Sequence, residues 1–308
     1  MIVKSASNPG QSTIIAGMSA EKTRIARIAV AAQPNSEQAF EEAAAVAAYA
    51  SELGLEAAFG RLGDEEIERQ VSSREIDLLV TLGGDGSMLR AGHLCAPFNV
   101  PILGINHGRL GFLIEVPPDG WRERLPQLLA GDYWLERRMM LRTELWRGGE
   151  CLGKWETLNE AFVGRGDVAR PAHLAAHLDG RRLTTYVVDG LIIATPTGST
   201  AYALAAGGPI LPPELRNILI VPVAPHLSVD RAIVLAEGAN VSVEVQSGPT
   251  AILSVDGRES VDVQHGDLVK VCASDHTVQF LRFQEPEYFY RHLIALMDQN
   301  PSAGEPSS

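Results

Sequence analysis

A glycine-rich turn with one carboxylate, Gly83-Gly84-Asp85-Gly86, stands between the apolar run IDLLVTL and a stretch with helical spacing. Free backbone N–H groups and the dipole of a following helix favour an anion at such a turn, which predicts a phosphate site. Asp85 places a negative charge in the middle of it. Two interpretations stay open on these residues alone. Asp85 suits a tight turn or caps the next helix, or the glycines admit a phosphate while Asp85 handles the group that attacks it.

A second stretch combines hydroxyl groups with small residues. The apolar run DGLIIA at 189–194 is followed by Thr195-Pro196-Thr197-Gly198-Ser199-Thr200. Such a loop offers hydrogen-bond donors and acceptors without bulk, which suits a ribose or the edge of an adenine. A helix N-cap at Ser199 or Thr200 is the structural alternative. So many small polar residues exceed what a cap requires.

Several well-known motifs are missing from the sequence. It contains no GxxxxGK[ST], GxGxxG, HRD, DFG, HExxH or GxSxG pattern, which excludes P-loop enzymes and the standard dinucleotide fingerprint. His173 and His177 would pair on a helix as metal ligands, but HLAAHLDGRRL has the pattern of a hairpin arm that turns at Asp179-Gly180. On a strand these histidines lie about 13 Å apart. We therefore predict no metal site built by the protein itself.

Composition narrows the class of protein. The 308 residues are 45% hydrophobic and 21% charged, as in ordinary soluble globular chains. A formal charge of −12, from 26 basic and 38 acidic residues, argues against nucleic-acid binding. The three cysteines form no CxxC pair, which favours reduced thiols. Because no apolar run reaches about 18 residues and no signal region is present, we predict a cytoplasmic protein without membrane association.

The elements that position these motifs fall into two halves. A strand RIAVAA begins near Arg27, the helical EQAFEEAAAVAAYASELG ends at Gly54, and IDLLVTL, SMLRAGHLCA and VPILGIN continue the alternation. Such alternation predicts a parallel α/β sheet. From about Glu136, strand-like runs separated by Gly, Pro and Asp-Gly predict a β-rich domain. EPEYFYRHLIALMDQ returns to a helix, with one apolar face formed by Phe289, Leu293, Leu296 and Met297.

Six segments in order resemble the successive motifs of the NAD kinase family. They are GGDGSML at 83–89, GINHGRLGFL at 104–113, LNEAFVGRGDVAR at 158–170, DGLIIATPTGSTAY at 189–202, SVDGR at 254–258 and the closing FLRFQEPEYFYRHL. The similarity covers roughly residues 25 to 297. GGDG alone also occurs in related lipid and sugar kinases, whereas its combination with NE and TPTGSTAY is a narrow signal.

The resemblance implies a fold and a reaction. The fold is an α/β N-terminal domain with a parallel, Rossmann-like sheet, a β-rich C-terminal domain and a final helix that returns to the first domain. The reaction transfers the γ-phosphoryl of ATP to the 2′-hydroxyl of the adenosine ribose of NAD, with Mg²⁺ or another divalent cation bound with ATP. The predicted segments are a disordered extension at 1–24, the α/β domain at 25–135, the β-rich NAD-binding domain at 136–280, the helix at 281–298 and a disordered tail at 299–308.

The resemblance also implies roles for particular residues. Asp85 matches the catalytic carboxylate, which orients or deprotonates the attacking hydroxyl while the amides of Gly84 and Gly86 hold phosphate. The other positions that match nucleotide contacts are Arg90, Asn159, Glu160, Arg170, Asp189, Thr200, Ala201, Tyr202, Ala205 and Arg258. Among these, Asn159 and Glu160 match the pair that engages ribose hydroxyls, and Asp189 matches a residue near the nicotinamide.

The match to the family is not complete. Ala205 stands where many members have a serine, which removes one possible hydrogen bond to the substrate and bears on substrate preference. The family forms homodimers and homotetramers, so we expect at least a dimer, with small-molecule nucleotides as the other partners. Two alternatives stay open: a lipid or sphingoid kinase that shares the GGDG turn, and a noncatalytic NAD-binding sensor.

Overall fold

The structure is a computed structural model that describes residues 24–108, 111–166, 170–226, 229–247, 250–285, 288–291 and 293. The extension predicted at 1–24, except Arg24, and the tail predicted at 299–308 lie outside these residues. So do Leu296 and Met297 of the predicted final helix, although 288–291 and 293 are helical. The division into domains stays a prediction.

Helices and strands alternate in the first half of the described chain, and strands dominate the second. The strands are β1 (Arg27–Ala32), β2 (Glu56–Arg61), β3 (Leu78–Gly83), β4 (Ile102–Asn106), β5 (Trp134–Arg147), β6 (Glu150–Thr157), β7 (Glu160–Arg165), β8 (Ala172–Leu178), β9 (Arg181–Val188), β10 (Gly190–Ala194), β11 (Asn217–Val223), β12 (Ile233–Ala236), β13 (Val241–Ser247), β14 (Ala251–Val255), β15 (Val261–Val263) and β16 (Leu268–Arg282). The α-helices are α1 (Glu37–Glu52), α2 (Glu65–Ser72), α3 (Asp85–Cys95), α4 (Trp121–Ala130) and α5 (Tyr202–Ala205), with 3₁₀ turns at Ala96–Phe98 and Thr197–Thr200.

The predicted parallel sheet is present at the N-terminal side. β2, β1, β3 and β4 lie side by side in parallel, because each is followed by a segment that returns across a face of the sheet. Apolar side chains of α1 and α4 pack on one face, and those of α2 and α3 on the other. α1 starts at the predicted turn, where the Ser36 side chain accepts from Ala39 N–H, and Gly54 follows its end with φ 91°. These elements place the carboxyl end of β3 directly before α3.

The same sheet continues into the β-rich half. β16 pairs in parallel with β4 at Phe280 and Ile102, and runs antiparallel to β5 and β13, while β8 and β9 complete that path. In the described residues a second, antiparallel sheet has the order β12-β11-β10-β7-β14-β15. A large apolar core from both sheets fills the space between them. His173 and His177 lie on β8, which forms the predicted hairpin with β9.

None of the helices in the described part of the chain is long and apolar enough to cross a membrane.

Candidate active site

Asp85 is the first residue of α3, directly after the N-cap residue Gly84. Its carboxylate accepts two backbone hydrogen bonds, from Phe112 N–H (2.8 Å to Oδ2) and from Leu113 N–H (3.0 Å to Oδ1). Gly111 lies so close that a methyl group there would overlap the carboxylate. The loop that follows β4 therefore fixes the orientation of Asp85 at the N-terminus of the helix.

Asp256 organises the turn that carries the Asn-Glu pair. One of its carboxylate oxygens accepts from Asn159 N–H (2.7 Å) and Glu160 N–H (2.9 Å), and the other from Leu158 N–H (2.8 Å). The Asp256 side chain is only 1% exposed. Three amides that point at one buried carboxylate fix the backbone of this turn, since an unpaired buried N–H costs free energy.

His93 connects this turn to α3. It lies two helical turns after Asp85, and its Nε2 is 2.7 Å from Asp256 Oδ2. Leu158 also packs against α3, at Gly92, where a side chain would crowd it. The helix that begins with Asp85 and the turn that holds Glu160 are thus parts of one packed unit.

The hydroxyl-rich loop packs on the other side of the same turn. Thr195 donates its N–H to Asn159 O (2.9 Å) and its hydroxyl to Leu158 O (2.5 Å). Gly198 lies against the Asn159 backbone so closely that a methyl group there would overlap the carbonyl oxygen. This contact explains a glycine in the middle of the loop. Thr200 and Ala201 follow at once, and Thr200 Oγ1 donates to Thr197 O (3.1 Å).

Glu160 carries the most unusual charge in this group. The residue is 9% exposed, Oε2 has no hydrogen-bond partner among the described residues, and the carboxylate accepts from Tyr202 N–H. Burial, followed by repulsion from Asp256, raises the pKa of Glu160 to about 7, and the Tyr202 amide opposes this. A buried carboxylate with a free oxygen is a candidate ligand contact, because it gains a partner when a hydroxyl donates to it.

Arg90 and Arg258 face one cleft. A cavity of about 570 Å³ lies between α3 and the turn after β14, and its lining also includes His93 and the two acidic residues Asp256 and Glu259. Both arginines are exposed. Exposed guanidinium groups beside the N-terminus of a helix form a favourable environment for a polyanion.

The structure does not bring Asp189 and Arg170 to this group. β7 and β10 are antiparallel, with Glu160 opposite Ala194 and Gly164 opposite Gly190. Asp189 therefore lies about 16 Å from the hydroxyl-rich loop along β10, five residues at about 3.3 Å each. It pairs there with Arg165 (3.0 Å), and His226 Nε2 is 3.8 Å away. Arg170 is exposed and precedes β8, whose first residue lies opposite Val188 on β9.

Of the remaining predicted contacts, Tyr202 lies beside Glu160, to which its backbone N–H donates. Tyr202 and Ala205 are exposed at the two ends of α5, and the Tyr202 ring packs 5.5 Å from that of Phe162. Sequence reasoning identified Asp256 only as part of a turn and did not identify His93. The sequence feature that points to Asp256 is its place in the SVDGR segment, directly after the strand-like run AILSV.

Comparison with known proteins identifies the family to which the chain is related. The family model of the ATP-NAD kinase N-terminal domain matches residues 27–133, and that of the ATP-NAD kinase C-terminal domain matches residues 158–283. An NAD kinase of Chloroflexus aurantiacus is 39% identical over 269 residues, which covers 87% of this chain and 97% of that protein. An NAD kinase of Chloroflexus aggregans is 42% identical and covers 72% of this chain and 80% of that protein.

The chain belongs to the NAD kinase family.

Two solved structures share the fold of this NAD kinase family member. An NAD kinase from Archaeoglobus fulgidus in complex with ATP superimposes with a TM-score of 0.69 at 27% identity, over 87% of this chain and 97% of that one. A yeast NADH kinase complexed with NADH gives a TM-score of 0.81 at 24% identity, over 92% and 91% of the two chains, and shows likeness of fold alone. The expected fold class, an α/β sheet followed by a β-rich half, is confirmed.

Proposed function

We propose that this chain transfers the γ-phosphoryl of ATP to the 2′-hydroxyl of the adenosine ribose of NAD, which gives NADP. Membership of the NAD kinase family supports the reaction and disfavours the lipid kinase alternative. The assignment of the site depends on one observation: the helix that begins with Asp85 packs against the turn that holds Glu160. Asp85 begins α3, and His93 on the same helix contacts Asp256, which holds the Glu160 turn.

Asp85 acts mainly as an orienting acceptor for the attacking hydroxyl. An alcohol is far less acidic than a carboxylic acid, and phosphoryl transfer has a loose transition state, so positioning and charge neutralisation supply most of the acceleration. The two amides of Phe112 and Leu113 hold the carboxylate in place before substrate arrives. Each oxygen keeps a lone pair for the hydroxyl.

The phosphates of the nucleotides bind at the positive end of α3. The amides of Gly84 and Gly86 lie at its first turn, and Arg90 and Arg258 line the adjoining cleft. Helix N-termini favour anions, and arginines pair with phosphate through parallel N–H bonds.

The adenosine of NAD binds between the Glu160 turn and the hydroxyl-rich loop. Asn159 and the free oxygen of Glu160 accept hydrogen bonds from the ribose hydroxyls. Thr200, Ala201 and Tyr202 contact the adenine. Ala205, at the end of α5, has no hydroxyl, so its side chain contacts the nucleotide by packing and forms no hydrogen bond. Asp189 and Arg170, at the far end of β10, contact the nicotinamide half.

The divalent cation enters with ATP. The described residues contain no group of three or more His, Cys, Asp or Glu side chains that could hold a metal ion. Mg²⁺ binds through one or two carboxylates and the phosphates of its nucleotide, so the site fits a cation brought by ATP. When bound, it offsets the repulsion between Asp85 and the phosphates.

Two further properties belong to the proposal. The chain works in the cytoplasm, and it assembles into a homodimer or homotetramer. Light scattering at micromolar concentration tests the assembly, and a monomeric mass would contradict it.

The decisive experiment measures NADP formation from NAD, ATP and Mg²⁺, with an NADP-specific dehydrogenase as reporter. Asp85→Asn is compared with Asp77→Asn. Asp77, at the other end of β3, also accepts two backbone hydrogen bonds, from Ala26 and Arg27. The control therefore reproduces the loss of a loop-holding carboxylate away from the site.

We expect turnover by the unaltered protein, a loss of about 100-fold or more in Asp85→Asn, and kcat within about threefold in Asp77→Asn. Equal turnover by Asp85→Asn would show that Asp85 only shapes its turn. Tight NAD binding without turnover by the unaltered protein would make the chain a sensor.

A further inference from the structure

A cluster of buried charges lies behind the two nucleotide loops. Glu136 and Arg138 stand on β5, Arg282 ends β16, and Tyr288 comes from the C-terminal segment; each is at most 5% exposed. Glu136 Oε2 accepts from Arg282 Nε (2.8 Å) and from Arg138 Nη2 (3.1 Å). Arg138 Nη2 also donates to the Tyr288 hydroxyl (2.9 Å), which in turn donates to Glu136 (3.1 Å). We call these four residues the β5–β16 charge cluster.

The cluster is charged in the folded protein. Burial alone would raise the pKa of Glu136, but the charges of Arg138 and Arg282 outweigh it and hold that pKa below its ordinary value. Two guanidinium groups and one carboxylate leave a formal charge of +1 inside a chain whose formal charge is −12. Buried ion pairs rarely stabilise a fold better than apolar residues of the same volume. Stability of the fold therefore does not explain why these charges are buried here.

Its outward hydrogen bonds supply one. Arg282 Nη1 donates to the carbonyl oxygen of Leu113 (2.9 Å), and the N–H of the same Leu113 donates to Asp85 (3.0 Å). In the other direction, Arg138 Nη1 donates to Oγ1 of Thr197 (3.2 Å), which begins the 3₁₀ turn within the hydroxyl-rich loop. One group of buried charges thus contacts both the loop that holds Asp85 and the hydroxyl-rich loop.

We propose that Arg282 and Arg138 are positioning residues for phosphoryl transfer: Arg282 sets the Asp85 loop and Arg138 sets the hydroxyl-rich loop, and both are aligned by Glu136. This inference rests on the proposed function. A displacement of about 1 Å at a reacting group costs up to about 100-fold in rate. The two arginines therefore have separate effects. Loss of Arg282 lowers kcat, and loss of Arg138 weakens NAD binding.

The test compares Arg282→Met and Arg138→Met with a matched control, Arg147→Met. Arg147 also lies on β5, and it forms two hydrogen bonds (2.9 and 2.7 Å) to Asp267, directly before β16. The control thus removes an arginine that joins the same two strands without touching either nucleotide loop. For each variant, kcat, the calorimetric Kd for NAD and Tm are measured.

Hydrogen exchange adds a readout that does not depend on turnover. The amides of Phe112 and Leu113 are protected by Asp85, so Arg282→Met should speed their exchange at least about tenfold, while Arg147→Met leaves it unchanged. If the unaltered protein does not phosphorylate NAD, the proposed function fails, and exchange at these two amides still decides whether Arg282 fixes the loop.

We expect Arg282→Met to lower kcat by about 10- to 100-fold with the NAD Kd within about threefold, and Arg138→Met to raise that Kd by about tenfold. The inference is overturned if Arg282→Met keeps its kcat, or if it loses no more than Arg147→Met. Should Arg282→Met fail to fold, Arg282→Lys takes its place. It keeps the charge but loses the guanidinium fork, so faster exchange at Leu113 supports the inference and unchanged exchange refutes it.

Discussion

Glu160 gives the sharpest prediction, because its charge has a cost that depends on pH. A pKa raised from 4.5 in the unfolded chain to about 7 in the folded one means that folded protein binds the proton more tightly. Stability is then unaffected below pH 4.5, falls as the pH rises from there through 7, and is lower by about 3 kcal/mol at full ionisation. Between about pH 5 and pH 8 the loss is about 2.5 kcal/mol.

The perturbation is Glu160→Gln, which removes the charge and keeps the shape. We expect the variant to exceed the unaltered protein by about 1 kcal/mol near pH 5 and by about 3 kcal/mol near pH 8. Urea unfolding at both pH values measures the difference, and other titrating groups cancel because the two chains share them. The exposed Glu56, at the start of β2, supplies the control Glu56→Gln.

Binding should change in the opposite direction from stability. Glu160→Gln should raise the Kd for NAD about tenfold or more near pH 8, because the charged acceptor for a ribose hydroxyl is gone. If the stability curves of Glu160→Gln and the unaltered protein run parallel from pH 5 to pH 8, the carboxylate is not strained by burial, and the argument for a preformed hydroxyl acceptor fails.

Three further substitutions test the contacts around the site. Asp256→Ala leaves three amides without their acceptor and should lower the free energy of unfolding by about 3 kcal/mol; an unchanged urea midpoint would contradict this. Gly111→Ala places a methyl group against the Asp85 carboxylate and should cut kcat about 100-fold, with Tm shifted by only a few degrees. Gly198→Ala pushes on the Asn159 carbonyl and should raise the calorimetric Kd for NAD about tenfold, so an unaltered Kd would separate this contact from nucleotide binding.

Local patterns in the sequence predicted the elements that local physics decides. The first strand, α1 with Gly54 after its end, and the turn before α3 all follow from periodicity and glycine chemistry within a few residues. The His173–His177 segment was predicted as a hairpin arm for the same reason, because strand spacing and an Asp-Gly turn act locally.

The partners of the site residues depend on long-range packing and were not predictable in this way. Asp256 holds amides 96 to 98 positions away along the chain. Arg282 reaches Leu113 across 169 positions. Spacing within a motif carries no information on such contacts. The sequence also does not distinguish a buried arginine from a solvent-exposed one. Asp189 shows the converse, since it shares a motif with Thr200 but lies at the opposite end of β10.

The pairing of β16 with β4 has a consequence for synthesis of the chain. Phe280 pairs with Ile102, so the outer edge of β4 at Ile102 stays open until a segment 178 residues later has left the ribosome, whereas Ile105 pairs with the nearby Val116. At about 5 to 20 residues per second, this takes about 10 to 35 s. During that time the nascent N-terminal half presents a partly open strand edge, at Ile102, to other chains. Because Arg282 ends the same strand, the Asp85 loop receives its last support only when β16 is in place. The loop that orients Asp85 is therefore complete only after β16 has been synthesised and has paired with β4.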